Sequence, residues 1–268
     1  MNSQYLAKKV RLDVLEMLSK TKSSHIGSCY SIVDILSVLY DCILDVDKTN
    51  FYEMERDRFI LSKGHATAAL YSVLARKNFF PLDWLEEYNF NGAKLLGHCT
   101  KKGVPGVEFS TGSLGHGLSV GLGIAKAMKM DNLANNVYVL VGDGECNEGS
   151  IWEAALLAPQ LKLDNLCLIV DYNKIQSFGF VSEVIELEPF ADKWLSFGWE
   201  VYEIDGHNHQ QLMETFNKPK QAFKPRVIIA HTIKGKGVSY MENNLKWHYS
   251  SPNSEEYQIA LNEIEGIG

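Results

Sequence analysis

Apolar residues recur at Leu6, Val10, Val14, Leu15 and Leu18. That three-to-four-residue step is one face of a helix and predicts a helix over residues 3–20. The same step over 30–44 predicts a second helix. Arg58-Phe59-Ile60-Leu61 is a short strand candidate, followed by an alanine-rich helix from about 65 to 77. Residues 91–113 carry neither period and are rich in Gly and polar residues. They predict a long loop, which compact domains usually keep for function. Gly121 and Gly123 fall inside a helical stretch, where a missing side chain permits close helix packing.

The second half is more regular. Val137-Tyr138-Val139-Leu140-Val141 is a continuous apolar run that stops at Gly142-Asp143-Gly144. A helical stretch follows through 161, and Asn165-Leu166-Cys167-Leu168-Ile169-Val170 is another apolar run. Residues 199–204 and 226–230 repeat the theme. Continuous runs, unlike alternating ones, mark strands buried on both faces. Strands alternating with helices predict an α/β fold: a three-layer, mostly parallel sheet with helices on both faces. The whole chain, 1–268, reads as one domain with a C-terminal extension from about 240. In such sheets ligands sit beyond the carboxyl ends of the strands. Those ends are residues 142–149, 171–179, 205–209 and 231–237.

Composition narrows the function classes. The 268 residues, 46% of them hydrophobic, can bury a sizeable core. A net charge of −7 argues against a general nucleic-acid surface, which needs clustered positive charge. No apolar stretch is long enough to span a membrane. The first residues lack an apolar signal region, so a cytoplasmic location is expected. The 5 cysteines are scattered with no CxxC pair and read as reduced thiols, not as disulfides or a zinc site.

The candidate chemistry lies at the strand ends. In Gly142-Asp143-Gly144-Glu145-Cys146-Asn147-Glu148-Gly149 the glycines permit a tight turn and close approach of a ligand. The helix beginning near Glu148 turns its free N–H groups to the same space, a natural anion site. Asn173, closing the next strand, lies thirty residues after Asp143, about one right-handed βαβ unit. Asp143 and Asn173 are therefore expected to face each other. A carboxylate and an amide carbonyl are hard oxygen ligands that suit magnesium, whose shell is usually completed by phosphate oxygens and water. A GDG turn alone is common; the pairing with Asn173 is what gives it weight. There is no GxxxxGK[ST], and Gly142-x-Gly144 lacks the third glycine of a dinucleotide fingerprint, which counts against a nicotinamide-dependent dehydrogenase.

A GDG followed after about thirty residues by asparagine resembles the thiamine-diphosphate-binding motif. The wider string from Gly142 through Gln176 resembles the transketolase family. Ser23-Ser24-His25-Ile26-Gly27, Ser62-Lys63-Gly64-His65 and Ser110-Thr111-Gly112-Ser113-Leu114-Gly115-His116-Gly117 resemble it too. The likeness runs to at least His248 and implies the thiamine-diphosphate-binding fold. It covers only the diphosphate-binding part of a transketolase, so it implies the N-terminal subunit of a split enzyme. A separate C-terminal subunit would carry the pyrimidine-binding domain, in an α2β2 heterotetramer. The implied reaction moves a two-carbon ketol unit from a ketose or ketose phosphate to an aldose or aldose phosphate through thiamine diphosphate.

The resemblance also implies roles. Asp143, Asn173 and the Ile175 carbonyl would bind Mg2+, or Ca2+ or Mn2+ in its place. His65, Gly112, Ser113, Leu114, Gly142, Gly144 and Glu145 would join Asp143, Asn173 and Ile175 around the cofactor. His25, His98 and His248 would surround the reacting carbon, where imidazole can both give and take protons. Glu148 would couple cofactor sites across the dimer; its plainer role is to complement a helix dipole. His207, His209 and His231 read as structural, with His209 a candidate helix cap. The sequence departs from the family at Ile26, Cys99 and His116, which bears on donor and acceptor preference. Two alternatives stay open: a transketolase-like subunit of a specialised sugar or natural-product pathway, and a non-catalytic regulatory subunit.

Overall fold

The computed structural model describes residues 2–266. Helix α1 (Ser3–Thr21) starts on Asn2, whose side chain accepts the Tyr5 N–H at 2.8 Å. It stops where Lys22 turns left-handed at φ 54°. Its buried face holds the predicted stripe, Leu6, Val10, Val14, Leu15 and Leu18. The single helix expected over 30–44 is instead three pieces: α2 (Ile26–Tyr30), α3 (Val33–Val38) and a wide π turn, Leu39–Ile43. The break falls at Ser31. Its hydroxyl donates to an Asp171 carboxylate oxygen at 2.6 Å and lies 3.1 Å from the Ser28 carbonyl oxygen. Such side-chain bonds compete with helical ones. Apolar spacing could not show the break, because nearly every residue on both sides is buried.

The remaining elements are β1 (Arg58–Leu61), α4 (Thr67–Arg76), α5 (His116–Met130), β2 (Val137–Gly142), α6 (Gly149–Gln160), β3 (Leu166–Tyr172) and α7 (Val181–Val184). After them come α8 (Phe190–Phe197), β4 (Glu200–Asp205), α9 (His209–Phe216), β5 (Arg226–His231) and α10 (Ser254–Gly266). The strands form one sheet in the order β1-β2-β3-β5-β4, and every pairing is parallel. Strands β2, β3 and β5 are buried almost throughout, as continuous apolar runs require. β4, at the sheet edge, is only partly buried. One apolar core joins α1, α3, α4, α9 and α10 to one face; the other joins α5, α6 and α8 to the opposite face. That is the expected three-layer arrangement.

Two glycines on α5 behave oppositely. A Cβ on Gly121 would lie 2.4 Å from Val139 Cγ2, so its absence lets α5 rest on the sheet, whereas a Cβ on Gly123 meets nothing within 4 Å. Gly121→Ala should therefore destabilise the chain by about 1–3 kcal/mol through overpacking. Gly123→Ala should stabilise it by about 0.5–1 kcal/mol through lost chain entropy. Urea unfolding of both variants checks the difference in sign. The segment beyond 240 folds back on the domain: Ala260 and Ile264 join the α1 core, and Lys8 Nζ donates to the Glu265 carbonyl at 2.7 Å. Among the described residues no helix is long and apolar enough to cross a membrane.

Candidate active site

Four parallel strands end on the same side of the sheet. β1 leads to Lys63 and His65, β2 to Asp143, β3 to Asn173 and Ile175, and β5 to Lys234. These residues, with His25, His98 and His248, line one cleft of about 470 Å3.

Asp143 is 3% exposed. Its Oδ1 accepts the Gly144 N–H and its Oδ2 the Lys174 N–H, both at 2.6 Å. Lys174 is left-handed at φ 66°, which folds the segment after β3 back toward Asp143. Asn173 Oδ1 accepts the Ile175 N–H at 3.1 Å, and Nδ2 donates to Asp171 Oδ2 at 3.1 Å. Asp171 can only accept there, so it fixes which end of the Asn173 amide carries oxygen. Burial, and then the neighbouring charge of Asp171, pushes the Asp143 carboxyl up to about 6. A carboxylate whose charge is disfavoured by its surroundings gains from a cation. Asp143, Asn173 and Ile175 all line the cleft, and their carboxylate, amide and carbonyl oxygens are of the kind a hard divalent ion takes. Among the described residues no group of three or more His, Cys, Asp or Glu could hold a metal ion. Such an ion would need further oxygens from a ligand or water.

The wall beside Gly144 carries unsatisfied polar atoms. Asn147 Nδ2 donates to Gln176 Oε1 at 3.1 Å. Asn147 Oδ1 and Gln176 Nε2 are buried without partners. Buried orphans of this kind cost free energy, and a polar group reaching this wall would satisfy them.

Four imidazoles gather on the other wall. The His25 ring centroid lies 5.0 Å from those of His65 and His248 and 6.2 Å from that of His98. His25 has φ 78°, an uncommon conformation for any residue but glycine, and its N–H donates to the His248 carbonyl at 2.9 Å. Burial, reinforced by His98, lowers His25 to about 4; burial, reinforced by Lys234, lowers His248 to about 3. Burial also holds His65 well below its usual value. These three rings are neutral near pH 7 and act as hydrogen-bond donors and acceptors, not as standing positive charges.

Residues 2–264 match the family model described as the thiamine diphosphate binding domain of transketolase. The chain belongs to the transketolase family. It is 42% identical to the 6-deoxy-6-sulfo-D-fructose transketolase subunit of Clostridium sp. (strain MSTE9), with 99% of this chain and 97% of that one covered. It is 44% identical to one subunit of the apulose-4-phosphate transketolase of Phocaeicola vulgatus, with 96% and 92% covered. The crystal structure of the Campylobacter jejuni transketolase superposes with a TM-score of 0.91 at 33% identity. That match covers 99% of this chain but 43% of the other, so the chain spans less than half of that transketolase.

Most residues singled out by the transketolase resemblance meet in the cleft: His25, His65, His98, Gly112, Leu114, Gly142, Asp143, Gly144, Glu145, Glu148, Asn173, Ile175 and His248 all line it. Ser113 is exposed and is not among the lining residues. Glu145 borders the cleft, but its carboxylate accepts from the Ser62 hydroxyl (2.5 Å) and the Gly115 and Gly142 N–H groups (2.9 and 3.1 Å). It braces the loops instead of reaching outward. The strand end at 205–209 turns away from the site. His207 Nδ1 and His209 Nε2 lie 2.7 and 3.1 Å from the Asp34 carboxylate, which also pairs with Arg11. The α9 cap is Asn208, not His209.

Sequence reading assigned no role to Lys63, Asp171, Gln176, Lys234 or Tyr249. Lys63 Nζ lies 2.5 Å from Asp171 Oδ2, with both side chains buried. Lys234 Nζ donates to the Ile175 carbonyl at 2.7 Å. Lys63 was visible within Ser62-Lys63-Gly64-His65, and Lys234 within the 231–237 strand end. Nothing in one sequence announces that a lysine there is buried.

Proposed function

We propose that this chain is the diphosphate-binding subunit of a two-component transketolase, working with thiamine diphosphate and Mg2+. One observation carries the reading: four imidazoles and the Asp143–Asn173–Ile175 oxygen set share one cleft at the carboxyl edge of the sheet. Asp143, Asn173 and the Ile175 carbonyl would hold the ion, which holds the diphosphate. Gly144 gives the diphosphate room to approach; His65 donates to it; the backbone of Gly112 and Leu114 borders the pyrimidine side. Bound thiamine diphosphate supplies a nucleophilic carbon and an electron sink for breaking and making a C–C bond. His25, His98 and His248 hydrogen-bond the sugar hydroxyls and carbonyl, and His25 and His98 move protons to and from them.

The relatives named as subunits favour a separate partner subunit that carries the pyrimidine-binding domain, assembled with this chain as α2β2 in the cytoplasm. Apolar side chains exposed by the cleft, Phe178 at 82% and Ile185 at 55%, suit coverage by that partner. A second groove shares His25, His98 and Tyr249 with the cleft and adds Lys22, Ser23, Ser24, Asn89 and Thr100. Hydroxyls, an amide and an ammonium there suit the polyol chain of a sugar with a terminal anion. The close relatives named for sulfofructose and apulose-4-phosphate favour a specialised sugar pathway over the central pentose phosphate route.

The purified chain alone should show no ketol transfer, and adding the partner subunit, cofactor and Mg2+ should restore it. The assay is a panel of ketose and aldose phosphates read by mass spectrometry. Turnover by the lone chain equal to that of the complex overturns the two-component reading.

A further inference from the structure

His248 reaches the cleft from a 3-10 turn, Leu245–His248, far from the strands in sequence. Its packing against the other histidines does not decide which of its nitrogens carries the proton. Lys234 does. Its side chain is 1% exposed, and its Nζ lies 2.7 Å from the Ile175 carbonyl oxygen and 2.8 Å from His248 Nδ1. A lysine ammonium has three donors and no acceptor. Nδ1 must therefore offer its lone pair, and the proton of the neutral ring sits on Nε2. The surrounding backbone is tied down and the lysine stem is packed. Lys234 Cγ lies 3.2 Å from where a Gly27 Cβ would stand, so glycine at 27 lets the lysine stem through. The Gly235 N–H donates to the Gly27 carbonyl at 3.1 Å, and the Asn243 N–H to the Lys234 carbonyl at 2.9 Å.

We infer that Lys234 is a positioning residue that locks His248 in its Nε2–H tautomer, so that His248 presents an N–H donor, not a lone pair, to the substrate oxygen in the cleft. The assignment of a substrate contact rests on the transketolase reading; the tautomer does not. Tautomer choice set by the bond at the other ring nitrogen is the usual way a protein decides what a histidine can do. The same ammonium bonds the Ile175 carbonyl, so one side chain ties the cation-binding loop to a catalytic histidine.

The test is nitrogen NMR of the full chain labelled with 15N-histidine, near neutral pH and without cofactor. His248 is assigned through the signals lost in His248→Gln. The expected pattern is an unprotonated Nδ1 and a protonated Nε2. A protonated Nδ1 in the natural protein overturns the inference without any Lys234 variant. Lys234→Met should release the tautomer, with Nδ1–H appearing, and should lower kcat of the assembled enzyme at least about tenfold. Lys234→Gln, which keeps an N–H donor, should restore the Nε2–H pattern. An unchanged His248 spectrum in folded Lys234→Met overturns the inference. If the tautomer behaves as expected but no sugar is turned over by the complex, the transketolase reading fails and the role of Lys234 stands.

Discussion

Asp143→Asn should lower the affinity of the two-subunit complex for thiamine diphosphate with Mg2+ at least about tenfold, on the order of 1.4 kcal/mol or more. The variant keeps size and shape but removes the one carboxylate of the oxygen set. An ion held only by neutral oxygens offsets less of the diphosphate charge. The same variant makes a second prediction of opposite sign. Without cofactor, burial and Asp171 hold the Asp143 carboxyl up at about 6, above its unfolded value of 3.8. An acid with a raised folded pKa contributes stability below the unfolded pKa and loses it as pH rises through the folded one. The cofactor-free chain should therefore lose stability between about pH 4 and pH 6, and Asn at 143 should remove that component. Calorimetry gives the affinity, and thermal melts across pH give the rest. An unchanged affinity would strike Asp143 from the ion ligands. A cofactor-free variant that melts well below the natural chain would make its two backbone bonds, to Gly144 and Lys174, its main role.

These effects meet at Asp143 because the sheet places it there, and that much was legible. Continuous apolar runs at 137–141 and 165–170, broken by a helical stretch, read as strands covered on both faces, and the structure has them so. Their spacing by one crossover unit makes them neighbours, and the register pairs Gly142 with Asp171. The residues just past each strand then share an edge. Legibility stopped where burial decides chemistry. Lys63, Asp171 and Lys234 are polar letters in a sequence, and their pairing across 108 positions in one case depends on the packed fold. The helix expected over 30–44 failed for a related reason. Ser31 turns to Asp171, a partner 140 residues away that no local pattern contains. The edge strand misled in another way. All strand ends look alike in sequence, but only those of β1, β2, β3 and β5 border the cleft. β4 lies outside β5, and its following histidines bind Asp34 near the N-terminal helices.

The histidines show the same limit from the other side. Their glycine-flanked strings marked His25 and His65 individually as candidates. The neutral character of His25, His65 and His248 comes from shared burial and from Lys63 and Lys234 beneath them. Neutral imidazoles each offer one N–H donor and one lone pair, which suits hydrogen bonding to sugar hydroxyls without mutual charge repulsion.

Asp171→Asn should be the most damaging single change to the fold of this site, costing about 3–5 kcal/mol in denaturant unfolding near pH 7, the range for breaking a buried ion pair. The carboxylate accepts from Ser31 at 2.6 Å, Lys63 at 2.5 Å, Asn173 at 3.1 Å and the Thr232 hydroxyl. An amide offers one acceptor where two are needed, turns its NH2 against surrounding donors, and leaves the Lys63 ammonium buried without a counter-charge. Burial alone would raise the Asp171 carboxyl; the Lys63 charge and these hydrogen bonds more than offset it and hold it below 3.8. A depressed folded pKa contributes stability above the unfolded value that is lost as pH falls. The gap between the natural chain and the Asp171→Asn variant should thus be full above about pH 4 and narrow on further acidification. Asn173 loses the acceptor that orients its amide, so ion affinity falls as well, but as a consequence of the fold. The two carboxylates, adjoining in charge and opposite in the sign of their shifts, then separate cleanly. Asp143→Asn should weaken the ligand and cost the cofactor-free chain one backbone hydrogen bond, about 1 kcal/mol, whereas Asp171→Asn should weaken the chain itself several times more. A cofactor-free Asp171→Asn protein as stable as the natural one would mean that Lys63 finds another partner, and that the buried pair does not hold the site together.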